Sequence, residues 1–288
     1  MIPAAFEYHA PKTLQQAVST LHKYDGEARV LAGGMSLVPM MKLRLANLAA
    51  VVDLGHIDGI SGIDEAAGGL AIGPMTTHYA IESSETVHRL APLLAETAAL
   101  IGDVQVRNRG TIGGSVAHAD PAADLPAALL ALEATFRIAG GARRRTVRAD
   151  KMFVDAYTSA LDEGEIITEV RVPATAPRTG WSYQKLANRA SRFAVVGVAA
   201  LLSTDTAGTC MRVRVAVTGA GPAPIRARAT ERYLVGKKVT SESITKGAVR
   251  ATNGIEFLGD VHGAPEYREH LTAELTKRAL TQASERIG

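Results

Sequence analysis

Two short stretches of this 288-residue chain set glycine pairs beside small hydroxyl side chains: "AGGMS" at residues 32–36 and "TIGGS" at residues 111–115. Glycine lets the main chain adopt φ > 0 and approach a ligand closely. Successive N–H groups at such a corner, followed by a helix N-terminus, attract an anion such as phosphate. Ser36 adds a hydroxyl at the first corner, and Thr111 and Ser115 add theirs at the second. One corner suits one phosphate. Two corners suit a diphosphate, which makes a dinucleotide attractive. Taken singly, a Gly pair is more often a plain turn or a close-packing site, so the residues alone leave those readings open.

The patterns that are missing narrow the chemistry. G-x-G-x-x-G is absent from both corners, and "GAGPAP" at 219–224 carries two prolines and lacks a third glycine, which disfavours a simple Rossmann domain. No P-loop, G-x-S-x-G or H-E-x-x-H motif occurs. Cys210 is the only cysteine, so the chain has no intrachain disulfide and cannot supply four thiolates to an iron–sulfur cluster. The eight histidines are scattered; His118 lies nearest a corner and is either a pocket residue or a structural hydrogen-bonder. No acid–base machinery is visible. This suits a redox carrier, in which a cofactor supplies the reactivity and the protein supplies position and electrostatics.

The corners need elements to hold them. "PKTLQQAVSTLHKY" reads as a helix opened by a capping box, Thr13 with Gln16. Val30, Leu31 and Ala32 form a short strand ending at Gly33–Gly34, Ser36 caps a helix over 37–45, and "AAVVDL" is the next strand: a βαβ-like unit. Further on come a strand in "GGLAIGPMTTH", an apolar helix in "LAPLLAETAALIG", a polar link "DVQVRNRG" and a strand "TIGGSVAHA". Asp124 then reads as the N-cap of a helix with Pro126 in its first turn. A hairpin around Gly140–Gly141, whose end is the basic run Arg143–Arg144–Arg145, and a strand over 165–173 follow. Residues 174–180, "ATAPRTG", read as a linker. Beyond them "WSYQKLA", "FAVVGVAALL" and "MRVRVAVTGAG" predict three strands, followed by helices near 229–234, 241–251 and 265–287. The formal charge of +3 gives no case for nucleic acid, no apolar run reaches the roughly 20 residues of a membrane span, and the N-terminus carries no secretory pattern. A cytoplasmic protein is expected, peripheral to a membrane only through a partner.

"AGGMSLVPMMKLRLA" and "IGDVQVRNRGTIGGSVAHADPAADLP", in this order and spacing, resemble the FAD-binding medium subunits of the molybdenum hydroxylases, most of all those of the carbon monoxide dehydrogenase type. The likeness covers nearly the whole chain. It implies an α+β protein: a two-part FAD-binding domain of the PCMH type over 1–176, divided near residue 54, and a smaller C-terminal α/β domain over 177–288. It also implies that Ala32, Gly33, Gly34, Met35, Ser36 and Leu37 form one loop around the FAD diphosphate, with Thr111, Ile112, Gly113, Gly114 and Ser115 forming the other. Thr76 would lie near the first loop, and His118 near the second. Asp124 would contact the cofactor, Ile167 and Lys185 would lie beside the isoalloxazine ring, and Phe193 would occupy the place of a flavin-adjacent tyrosine. Three residues depart from the family pattern: Met35 replaces a usual histidine, Ser115 a frequent asparagine and Phe193 that tyrosine. The resemblance further implies a large subunit with the molybdenum cofactor and a small one with [2Fe-2S] clusters, in a dimer of heterotrimers that serves an external electron acceptor. Alternative readings are a related subunit for a purine, aldehyde or N-heterocycle, a self-contained flavin oxidoreductase, and a plain α/β module whose Gly corners are only turns.

Overall fold

The computed structural model describes residues 1–141 and 143–287. Three larger sheets organise them, and a two-stranded ribbon, Phe153–Asp155 with Thr158–Ser159, makes a fourth. The first is a small parallel sheet with Ala50–Asp53 in the middle, flanked by Glu7–His9 and Ala28–Leu31. The helices Leu14–Lys23 and Leu37–Lys42 connect its strands. Parallel neighbours require such crossovers, and the apolar residues Ala17, Val18 and Leu21 pack the first helix onto Ala28, Ala50 and Val52. Thr13 caps that helix, accepting from the Gln16 N–H at 3.2 Å. Gln16 returns its own bond to the N–H of Lys12 rather than to that of Thr13.

The second sheet is antiparallel, in the order Ile63–Ala66, Gly69–Ile72, Ile166–Pro173, Thr135–Gly140, Arg143–Arg148. The third runs antiparallel through Thr179–Ala187, Ala194–Thr204 and Cys210–Thr218, and a two-residue strand, Ile225–Arg226, extends the three expected. Its central strand is apolar almost throughout because both faces are covered. Val196, Val198, Ala200 and Leu202 face the C-terminal helix Pro265–Glu285. Ala199 on the other face joins the core formed with the helices Pro92–Ala99 and Asp124–Ala131.

Two segments in the long connection between the second-sheet strands Gly69–Ile72 and Thr135–Gly140 differ from expectation. "DVQVRNRG" is not a link: Val104–Arg109 is a helix capped by Asp103, which accepts from the Val106 N–H at 2.9 Å. "TIGGSVAHA" is not a strand: Ile112–His118 is a helix, with Thr111 as its cap accepting from the Gly114 N–H at 3.1 Å. Glycines and β-branched residues argue against a helix by propensity. A good cap and burial of Ile112 and Val116 outweigh that preference over so short an element. The helix stops at Ala119, which turns left-handed at φ 48°.

Candidate functional site

A cleft of about 1170 Å³ runs between the first sheet, the two Gly loops, the Ile166–Ile167 end of the second sheet and Ser191–Phe193, in the loop that joins the first two strands of the third. It exceeds the ~300–1,000 Å³ of ordinary small-molecule pockets, as an extended dinucleotide requires. Ala32, Gly33, Gly34, Met35, Ser36 and Leu37 all line it. The two glycines are needed for different reasons. A Cβ on Gly33 would lie 2.0 Å from the Arg109 carbonyl oxygen and 2.8 Å from Gly110 Cα, so only hydrogen fits where the two loops touch. Gly34 sits at φ +76°, where an L side chain is strained.

The first loop carries free donors. Among the described residues none accepts from the N–H of Gly33, Gly34, Met35, Ser36 or Leu37. Ser36 does not cap the Leu37–Lys42 helix: its own backbone is helical (φ −101°, ψ −51°), and its hydroxyl makes no capping bond. Five consecutive amides facing a cleft form a concave donor surface for an anion.

The second loop is different. Thr111, Gly113, Gly114, Ser115 and His118 line the cleft, but the amides of residues 112–115 are committed within the protein. Ile112 donates to Thr76 O (3.0 Å), Gly113 to Pro74 O (2.9 Å), Gly114 to Thr111 Oγ1 (3.1 Å) and Ser115 to Thr111 O (3.0 Å). This side therefore offers a close, rigid glycine surface and the Ser115 hydroxyl rather than a second nest. Ile112 is fully buried beneath it.

Thr76 stands behind the cleft wall instead of on it. Its hydroxyl donates to Gly62 O and accepts from Gly62 N–H, both at 2.9 Å, and its carbonyl holds the Ile112 amide. Asp124, Ile167 and Phe193 do line the cleft. Asp124 is not the N-cap of its helix; Ala123 is, and Asp124 is the first helical residue. Its carboxylate turns inward, accepting from Tyr183 Oη at 2.6 Å and Lys185 Nζ at 2.8 Å. Lys185 also donates to Leu100 O at 2.8 Å and sits behind Asp124, outside the lining. Burial pushes the Asp124 carboxyl up from the usual carboxylate range, while Lys185 and Tyr183 pull it down. Phe193 is 44 % exposed at the mouth.

Sequence reasoning passed over two cleft residues, His78 and Tyr157. Tyr157 is left-handed at φ 54°, its N–H bonds to Ala119 O at 3.1 Å, and its ring lies 5.2 Å from that of His118. Nothing in "DAYTS" signals that conformation. His78 opens the helix His78–Ser83 behind the cap Thr77, so "TTH" carried a cap signal but no sign of the cleft.

Two family models divide the chain between them. The FAD binding domain in molybdopterin dehydrogenase matches residues 4–175, and the CO dehydrogenase flavoprotein C-terminal domain matches residues 181–283. This chain belongs to the FAD-binding medium subunits of the molybdenum hydroxylases. The carbon monoxide dehydrogenase medium chain of Hydrogenophaga pseudoflava is 41 % identical, over 98 % of each chain. Subunit alpha of the 6-hydroxypseudooxynicotine dehydrogenase complex of Paenarthrobacter nicotinovorans is 34 % identical, over 99 % of this chain and 97 % of its own. The solved Hydrogenophaga pseudoflava carbon monoxide dehydrogenase lacking the Mo-pyranopterin moiety superposes with a TM-score of 0.97 at 43 % identity, over the whole of both chains.

The medium subunit's own residues fit FAD. The five free amides suit a diphosphate, and the cleft they line also takes in Asp124, Ile167 and Phe193. Cys210 is buried, and burial pushes its thiol up to about 11, so it is neither a thiolate ligand nor a nucleophile at neutral pH. Among the described residues no group of three or more His, Cys, Asp or Glu could hold a metal ion, and no helix is long and apolar enough to cross a membrane.

His78 makes the subunit's stability depend on pH. Burial, helped by Arg107, lowers its pKa from 6.5 to about 4. In the unfolded chain the ring binds its proton first, so its contribution is full above pH 6.5 and is lost as pH falls toward 4. Between pH 7 and pH 5 this group is expected to remove about 2 kcal/mol. Urea unfolding at the two pH values checks it: the wild-type loss must exceed that of His78→Asn by about that amount.

Proposed function

We propose that this medium subunit carries electrons within a molybdenum hydroxylase of the carbon monoxide dehydrogenase type. It would take them from the [2Fe-2S] clusters of a small subunit, after substrate oxidation at the molybdenum cofactor of a large one, and hand them to an external acceptor. The assembly is a dimer of heterotrimers in the cytoplasm, at most peripheral to a membrane through its partners. The observation that carries this reading is the first loop, five consecutive unpaired amides at the junction of two glycine loops. The single buried cysteine supports the division of labour, because this chain cannot hold the clusters itself.

Bound FAD supplies a two-electron store that exchanges electrons with one-electron carriers. Residues 33–37 would hold its diphosphate through main-chain donors, and Thr111, Gly113, Gly114 and Ser115 would close the opposite side. Ile112 and Thr76 would act from behind, fixing the second loop. Asp124, Ile167 and Phe193 would border the flavin end, with Lys185 acting through Asp124 and His118 lining the wall beside them. The division into a flavin domain over 1–176, parted near residue 54, and a C-terminal domain over 177–288 is supported by the three larger sheets, each of which falls within one of these segments.

Because the donors are main-chain, Met35→His should leave the FAD dissociation constant within about threefold of wild type, as read by quenching of flavin fluorescence. The function itself is tested by producing the chain with its encoded partners. The purified complex should contain FAD and reduce an added dye when supplied with carbon monoxide. Reduction by an N-heterocycle and not by carbon monoxide would move the substrate to the second reading, which the 34 % relative favours. A flavin-free complex would overturn both.

A further inference from the structure

We propose that His78 is a diphosphate-binding residue of the subunit, its Nε2–H donating to an oxygen of the FAD diphosphate beside the free amides of residues 33–37. The proposal rests on the FAD reading and assigns a side chain that neither the glycine motifs nor the loop pattern indicates.

Three observations meet at this ring. First, it is placed against the loop junction. The His78 N–H donates to Gly110 O at 2.9 Å, and a Cβ on Gly110 would lie 2.8 Å from His78 Nε2, so the imidazole packs directly on Gly110. Gly33 touches the same residue, since its own Cβ would come within 2.8 Å of Gly110 Cα. Gly110 thus packs against both His78 and the loop that carries the first free amide. Second, His78 is 6 % exposed and lines the cleft, yet its side chain has no hydrogen-bond partner among the described residues. Nδ1 is buried and orphaned. Arg107, the nearby cation, is engaged with Glu82 Oε2 at 2.6 Å and Ile101 O at 3.0 Å. Third, the ring is neutral at physiological pH, because burial holds its pKa at about 4.

A neutral imidazole has one donor and one acceptor nitrogen. Buried N–H groups without a partner are rarer than unfilled acceptors. The favoured tautomer leaves the orphan Nδ1 as a bare lone pair and places the proton on Nε2. Nε2 is not among the buried unpartnered atoms; on this wall of the cleft it is the ring nitrogen left open to an anion, and its N–H has no acceptor among the described residues until one arrives. Hydrogen bonds to charged acceptors are the strong ones.

The experiment titrates the full-length apo chain with FAD and with ADP, which carries the diphosphate without the flavin ring. His78→Leu is expected to raise both dissociation constants by roughly ten- to a hundredfold. His78→Gln, which places an amide donor near the Nε2 position, should recover most of that loss. A folded His78→Leu chain that binds ADP like wild type would overturn the assignment. So would a loss confined to FAD, which would place the contact at the flavin end. If His78→Leu does not fold, wild-type chain labelled with ¹⁵N-histidine decides. The His78 ring, assigned with His78→Gln, must show a protonated Nε2 that shifts on adding ADP; an unprotonated or unmoved Nε2 overturns the proposal. A wild-type chain that takes up no FAD overturns the flavin reading itself, a separate result.

Discussion

Gly33→Val is expected to strip the subunit of its flavin. The new Cβ would sit 2.0 Å from the Arg109 carbonyl oxygen, closer than the 3.0 Å that real Cβ contacts respect. The obstructing atoms are main chain at the end of the capped helix Val104–Arg109, so no side chain can rotate away. The loops must separate by about 1 Å, twice the tolerance of ~0.5 Å within which a binding constellation works. Overpacking of this kind costs about 1–3 kcal/mol, a loss a domain of this size survives. The expected product is a folded chain whose flavin-to-protein absorbance ratio falls below about one-tenth of wild type. Gly114→Ala makes a useful contrast. Its Cβ meets the Thr111 hydroxyl at 2.9 Å and Ala32 Cβ at 3.6 Å. That hydroxyl can swing aside, forfeiting a helix cap worth about 1 kcal/mol, and flavin should be largely kept. Full flavin occupancy in Gly33→Val would refute the idea that contact between the loops shapes the seat.

Lys185→Met should produce the largest loss of stability. The Lys185 and Asp124 side chains are 6 % and 4 % exposed, and they meet at 2.8 Å. Removing one partner of a buried pair leaves the other charged or forces it to take up a proton, at a cost of about 3–5 kcal/mol. Tyr183 softens the loss by donating to the other carboxylate oxygen at 2.6 Å. Urea unfolding at pH 7 reads the effect, and the double variant Asp124→Leu with Lys185→Met should regain part of it, since no unpaired charge remains. A loss below about 1 kcal/mol for Lys185→Met would mean that the pair is far better solvated than its burial implies.

The strands of the third sheet and the long C-terminal helix were legible from periodicity alone, because burial on one or both faces writes itself into the order of residues. The short helices Val104–Arg109 and Ile112–His118 were not, since each spans less than two turns and owes its existence to a capping bond and tertiary packing. The first glycine corner was read as a place for an anion, and its amides are without acceptors among the described residues. The second had the same letters but a different use for them: Gly113 is glycine because Pro74 lies against it, with a Cβ only 2.6 Å from where its own would be. No spacing rule distinguishes a glycine that frees an amide from one that lets two segments pack. Asp124 was seen as a cap because Asp before a helix usually is one, and its actual partners, Tyr183 and Lys185, lie some sixty residues away in the chain.

The proposed grip of residues 33–37 on FAD is through the backbone, and this bears on how such a subunit could drift over evolutionary time. A seat of peptide amides is indifferent to which side chains hang from it. Such a seat needs the missing Cβ at Gly33 and the left-handed turn at Gly34, whereas the amide of residue 35 is the same whatever side chain it carries. On the proposed reading, methionine at 35 changes the lettering of the loop and leaves the shape it offers the ligand the same.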